Sequence, residues 1–124
     1  MNKFCTVINC MDGRTQEPVI SYLKTRFISN YVDNITLPGP CSLLQTQPSK
    51  YAISSLITKL SISIEKHNSK AIAVVAHHDC AGNPVSDEEQ IQHIKKSVTF
   101  LKLLYPKLEI IGLWLDNKFT VQEV

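Results

Sequence analysis

Ala71-Ile72-Ala73-Val74-Val75-Ala76 runs directly into His77-His78-Asp79-Cys80. Six consecutive apolar residues, lying between two stretches of helical periodicity, are too few for a buried helix. They also lack the alternation of a strand with one wet face. They read as a central parallel strand covered by helices on both sides. Open α/β sheets place their sites outside the carboxyl ends of such strands, and this end carries two imidazoles, a carboxylate and a thiol.

Upstream of this strand, Ser49 to Lys66 sets Ile53, Leu56, Ile57, Leu60 and Ile64 on one helical face, and the helix is expected to stop near Asn68-Ser69. At the amino terminus Lys3 to Asn9 reads as a strand, and Cys10-Met11-Asp12-Gly13-Arg14 as the turn that leaves it. A helix follows, with Thr15 as its cap, Pro18 in its first turn, and Val19, Ile20, Leu23 and Phe27 as its apolar stripe. A short second strand is expected over Asn34 to Leu37, broken by Pro38-Gly39-Pro40.

Downstream, Ser86 and Glu89 have capping-box spacing. Ile91, Ile94, Val98 and Leu101 continue a helix that must finish by Pro106. Leu108 to Leu115 supplies another strong strand, and Asp116-Asn117-Lys118 turns into a terminal strand around Phe119 to Val121. The order β-α-β-α-β-α-β-β predicts an α/β, three-layer sandwich. Its central sheet holds four mostly parallel strands plus a C-terminal antiparallel edge strand, all in one domain over residues 1–124.

Composition narrows the function. The chain has 124 residues, 44% hydrophobic and 19% charged, with a net charge of +2 and its thirteen Lys and Arg scattered. No basic stripe offers itself to nucleic acid or to an anionic surface, and no apolar run is long enough for a membrane span. A cytoplasmic location is expected, with no signal peptide at the amino terminus. In that reducing compartment Cys5, Cys10, Cys41 and Cys80 are expected to stay free of disulfides.

Two thiols and an imidazole suit zinc (Zn²⁺), and a catalytic zinc keeps three protein ligands so that water can take the fourth position. Cys10, His77 and Cys80 form such a set if the first and third strands are neighbours. The step from His77 to Cys80 lets one turn deliver two ligands. Two thiolates cancel the ion's charge, so water on it needs help to react. Asp12 could accept a hydrogen bond from zinc-bound hydroxide and aim its lone pair, while Arg14 holds that carboxylate by a bidentate pair and keeps it off the metal.

Cys-x-Asp-x-Arg after the first strand and His-x-x-Cys after a later one resemble the motif pair of the β-class carbonic anhydrases. The likeness extends in element order from Cys10 to the terminal hairpin. It implies Cys10, His77 and Cys80 as zinc ligands, Asp12 and Arg14 as the dyad that positions hydroxide, and reversible hydration of carbon dioxide to bicarbonate. It also implies at least a homodimer. Two departures stand out: Ala76 precedes the ligand histidine where the family usually has glycine, and Ala81 follows the second cysteine, with Gly82 one place later. The family's N-terminal helical arm has no counterpart in the sequence.

Other readings stay open. Carbonyl sulfide or carbon disulfide could replace carbon dioxide as the substrate. A non-catalytic zinc module would let Asp12 close the fourth position. A cysteine nucleophile of the phosphatase or sulfurtransferase kind fits poorly, because Asp12 would repel an anion in the loop after Cys10. His78 competes with His77 as ligand or could relay protons. Asp79 could orient a neighbouring ring or simply sit in a turn. Cys5 and Cys41 read as core, His67 and His93 as exposed, and Trp114 as filling core or interface.

Overall fold

The computed structural model describes residues 3–46 and 49–124. Five strands form one sheet: β1 Phe4–Cys10, β2 Tyr31–Leu37, β3 Ala71–His77, β4 Glu109–Leu115 and β5 Val121–Glu123. Their order is β2-β1-β3-β4-β5, parallel throughout except for the antiparallel β4–β5 pair at one edge. This is the expected architecture.

Every residue of β3 is buried, and its alternation sorts the two faces. Ala71, Ala73 and Val75 join Cys5, Val7, Ile111 and Leu113 against helix α1 (Gln16–Arg26), whose Val19 and Leu23 are fully buried. Ile72, Val74 and Ala76 join Ile8, Ile110 and Trp114 under α2 (Pro40–Thr46), α3 (Lys50–Ser61) and α4 (Asp87–Leu104). A run of small and β-branched residues suits a strand whose both faces must be filled. Among the described residues no helix is long and apolar enough to cross a membrane.

The sequence reading fails where tertiary contacts override local pattern. Strand β2 begins at Tyr31 rather than Asn34, since Tyr31, Val32 and Asp33 pair with Phe4, Cys5 and Thr6 although the edge they form is only partly apolar. The break at Pro38-Gly39-Pro40 opens a further helix, for Pro40 occupies the first position of α2, where a missing N–H costs nothing. Ser49 caps α3 as its side chain accepts from Ala52 N, but the predicted continuation to Lys66 becomes a π-helical turn over Ile62–Lys66. Thr15 makes no side-chain cap for α1. Asp12 instead caps a 3₁₀ turn, Gly13–Thr15, accepting from Arg14 N. The last strand starts at Val121, not Phe119, because Phe119 takes a left-handed φ of 57°. The Ser86 cap on α4 is present, accepting from Glu89 N.

Candidate metal centre

Cys10 is the last residue of β1 and His77 the last of β3, and the two strands are hydrogen-bonded neighbours. Their side chains therefore leave the sheet at the same end. Cys80 returns to them on the loop after β3. Two glycines permit that return: a Cβ on Gly39, at φ +53°, would lie 2.6 Å from the Gly82 carbonyl carbon, and one on Gly82 would lie 2.5 Å from that of Pro38. The loops after β2 and β3 thus pack backbone to backbone, and Gly82 does this work one place after Ala81.

The ligand atoms of Cys10, His77 and Cys80 all lie within 4.8 Å of one another, and all three residues are buried. The sulfurs of Cys10 and Cys80 are 3.9 Å apart. Two thiolates at tetrahedral zinc, each bonded at its usual length, would stand about 3.8 Å apart. His77 Nδ1 lies 2.7 Å from the His78 carbonyl oxygen, an acceptor only, so Nδ1 carries the proton. That leaves a lone pair on Nε2 in the neutral ring, and Nε2 is buried without a hydrogen-bond partner among the described residues. A buried orphan of this kind needs a partner, and the donor set fits a zinc ion.

The two sulfurs also perturb each other. The hydrogen bond they share favours a thiolate on Cys10, lowering it well below the ordinary thiol range, and pushes Cys80 up. Burial opposes a charge on His77, but the neighbouring Cys10 thiolate, the His78 carbonyl and Asp12 together raise its pKa. Cys41, on α2, donates to the Val75 carbonyl at 3.4 Å and is pushed up to about 12 by burial. It backs the cluster as a neutral thiol.

Asp12 and Arg14 form the expected bidentate pair. Arg14 Nε donates to Asp12 Oδ1 at 3.1 Å and Nη2 to Oδ2 at 2.7 Å. Arg14 thereby holds the Asp12 carboxyl down to about 2. Asp12 Oδ2 stands 3.9 Å from His77 Nε2, so the dyad borders the ligand cluster. Outside it opens a cleft of about 420 Å³ walled by Arg14, Asp79, Ala81, Pro84 and Val85.

The remaining candidates fall elsewhere. His78 turns away to Asp87, its Nδ1 2.8 Å from Oδ1. Asp79 orients no ring. It sits exposed at φ +58°, and its carbonyl and carboxylate accept from Arg14 at 3.2 and 3.4 Å. His93 is half-buried rather than exposed, with Nδ1 2.8 Å from Asn83 Nδ2. His67 is exposed, and Cys5 and Trp114 are core. Sequence reasoning missed two residues. Gln90, 1% exposed, donates to the Asn83 carbonyl at 2.6 Å and lines the enclosure around the sulfurs. Phe119 covers Arg14. A buried glutamine on an otherwise amphipathic helix was the available signal for the first.

Two thiols and a bare imidazole nitrogen at the carboxyl edge of a parallel sheet, beside a carboxylate–guanidinium pair, define a candidate metal-site protein of the α/β class. The chain belongs to the carbonic anhydrase family, for the family model described as "Putative carbonic anhydrase" matches residues 1–124. Its fold is that of carbonic anhydrases of known structure. A carbonic anhydrase from Streptococcus mutans superposes with a TM-score of 0.67 at 17% identity, over 99% of this chain and 81% of that one. A carbonic anhydrase from Glaciozyma antarctica gives 0.65 at 18%, over 98% and 81%. One of two tetrameric β-carbonic anhydrases from Sordaria macrospora gives 0.66 at 12%, over 98% and 80%. No curated protein sequence matches the chain.

Proposed function

We propose that this protein catalyses the reversible hydration of carbon dioxide, CO₂ + H₂O ⇌ HCO₃⁻ + H⁺, with zinc held by Cys10, His77 and Cys80. One observation carries the reading: the unpartnered Nε2 of His77 faces two sulfurs at zinc-like separation, with a locked Asp12–Arg14 pair at their border. Family membership supports it.

When bound, zinc supplies Lewis acidity that makes water a competent nucleophile near neutral pH. The chain's own residues do the rest. Cys10 and Cys80 bring negative charge, and the Nδ1 hydrogen bond of His77 fixes the ring so that Nε2 faces inward. Asp12, ionised at all physiological pH values, can only accept hydrogen bonds. It would accept a hydrogen bond from the O–H of the reacting water and so turn the oxygen lone pair toward the carbon of carbon dioxide. Arg14 occupies both Asp12 oxygens, which keeps that carboxylate from turning inward to the ligand cluster. The product proton is released to solvent.

We read the protein as a cytoplasmic, single-domain homo-oligomer. The tetrameric Sordaria relatives and the exposed Tyr31 and Tyr51 support self-association. The test pairs metal analysis with stopped-flow hydration of carbon dioxide, carbonyl sulfide serving as comparator. One zinc per chain and a hydration rate that rises with pH are expected. A metal-replete protein that leaves carbon dioxide untouched overturns the assignment, and selective turnover of carbonyl sulfide redirects it.

A further inference from the structure

Phe119 is an aromatic residue held at φ +57°, a left-handed conformation that bulky side chains avoid. Its turn is firmly built: Phe119 N donates to the Asp116 carbonyl at 2.9 Å, and Asp116 Oδ1 accepts from Lys118 N and Thr120 N at 2.9 and 3.1 Å. The strained backbone aims the ring back across the sheet end. Arg14 Cζ sits 4.6 Å from the ring centroid, within cation–π range, and the ring is tilted against His77 with centroids 5.9 Å apart. One side chain therefore touches both the guanidinium that locks Asp12 and the imidazole of the candidate ligand set.

We infer that Phe119 is a positioning residue: its ring clamps Arg14 in the geometry that keeps Asp12 off the ligand cluster. This rests on the dyad reading above. Nearly half of the Arg14 side chain is exposed, and its other partner, Asp79, holds it by a backbone carbonyl at 3.2 Å and by a surface carboxylate, 74% exposed, at 3.4 Å. Without the ring, water would compete for the guanidinium and free Asp12 to rotate. The π face adds an attraction of the same order as an exposed ion pair, on the side of the guanidinium that its carboxylate partners do not cover.

Three variants separate the ring from the backbone. Phe119→Gly removes the ring and suits the φ angle, Phe119→Leu keeps apolar bulk without a π face, and Phe119→Tyr keeps the ring. The first readout is the Arg14 Nε–H resonance in the metal-free protein. It is expected to be sharp in wild type and Phe119→Tyr, and exchange-broadened in Phe119→Gly and Phe119→Leu. The second is the cobalt-substituted absorption spectrum, where the Gly and Leu variants should show an added carboxylate oxygen. The third is kcat for hydration, expected to fall about tenfold in Gly and Leu and to stay within about twofold in Tyr. Unchanged Arg14 resonance and kcat in Gly and Leu overturn the inference, as does a Tyr variant that falls with Leu. An inactive wild type would refute the proposed reaction alone, since the Arg14 resonance still reports on the clamp.

Discussion

Two polar clusters, one running from the core out to the exposed His67 and one buried, sit on the same sheet and end in opposite ways. Toward the amino end of β3, Thr6 Oγ1 meets Ser63 Oγ at 2.6 Å and Ser69 Oγ at 2.8 Å, Ser63 donates to Asp33 Oδ2 at 2.6 Å, and His67 Nδ1 stands 2.6 Å from the same oxygen. Each polar side chain there has a partner within the protein. At the carboxyl end, His77 Nε2 has none, and two thiols face each other beside it. The first cluster is satisfied by its own members and holds the π-helical turn to β1 and β2. The second lacks a member. A histidine near a carboxylate occurs in both, so residue type does not separate structure from function; the unpaired lone pair does.

The largest effects should come from the incomplete cluster. Cys10→Ser, His77→Ala and Cys80→Ser should each abolish stoichiometric zinc by metal analysis and bring hydration to background. Zinc should stabilise wild type by about 2.7 kcal/mol at a hundredfold excess over its dissociation constant, a gain that calorimetry would find missing in these variants. A variant that keeps one zinc per chain breaks the comparison.

Next come Asp12→Asn and Arg14→Ala, which should retain zinc while kcat falls by about 10²-fold. At the satisfied cluster, Ser63→Ala strips a partner from both Thr6 and Asp33, costing about 1–3 kcal/mol in denaturant unfolding and leaving zinc content and kcat unchanged. Loss of zinc in Ser63→Ala would show that the two ends are not independent.

The smallest effect is on acid stability. Asp12 has a folded pKa of about 2, below its ordinary 3.8, so its contribution is fully present above about pH 4 and is lost as pH falls through about 2. The Arg14 side chain is 47% exposed and that of Asp12 22%, and solvent screening keeps the contribution modest. Between pH 4 and pH 2 the thermal midpoint of wild type should fall more than that of Asp12→Asn, measured on metal-free protein.

The contrast also shows what local pattern can carry. The uniformly apolar Ala71–Ala76 run announced a doubly covered strand, but the neighbouring of β1 and β3 that puts Cys10 beside His77 entered the sequence reading only as a condition and is supplied by the sheet order. The Asp12–Arg14 pair was legible only beside Cys10 as a metal ligand, since on their own the two residues read as a turn aspartate and a solvated arginine. Phe119 was not, because a left-handed aromatic has no signature in periodicity and its partner lies on another strand end. Nor was the network of Thr6, Asp33, Ser63, His67 and Ser69, whose ends lie 63 positions apart and which forms where the chain after α3 meets the register-paired Thr6 and Asp33. Helix α2 hid behind a Pro-Gly-Pro run that reads as a stop and serves as a start.

The close approach of Gly39 and Gly82 has a practical corollary. Where the loops after β2 and β3 meet at these glycines, their spacing is gauged by main-chain thickness, and a side chain at either position would push the Cys80 loop outward. Re-tooling this scaffold for a bulkier ion would have to begin at those two bare backbone positions, where even one methyl acts as a shim.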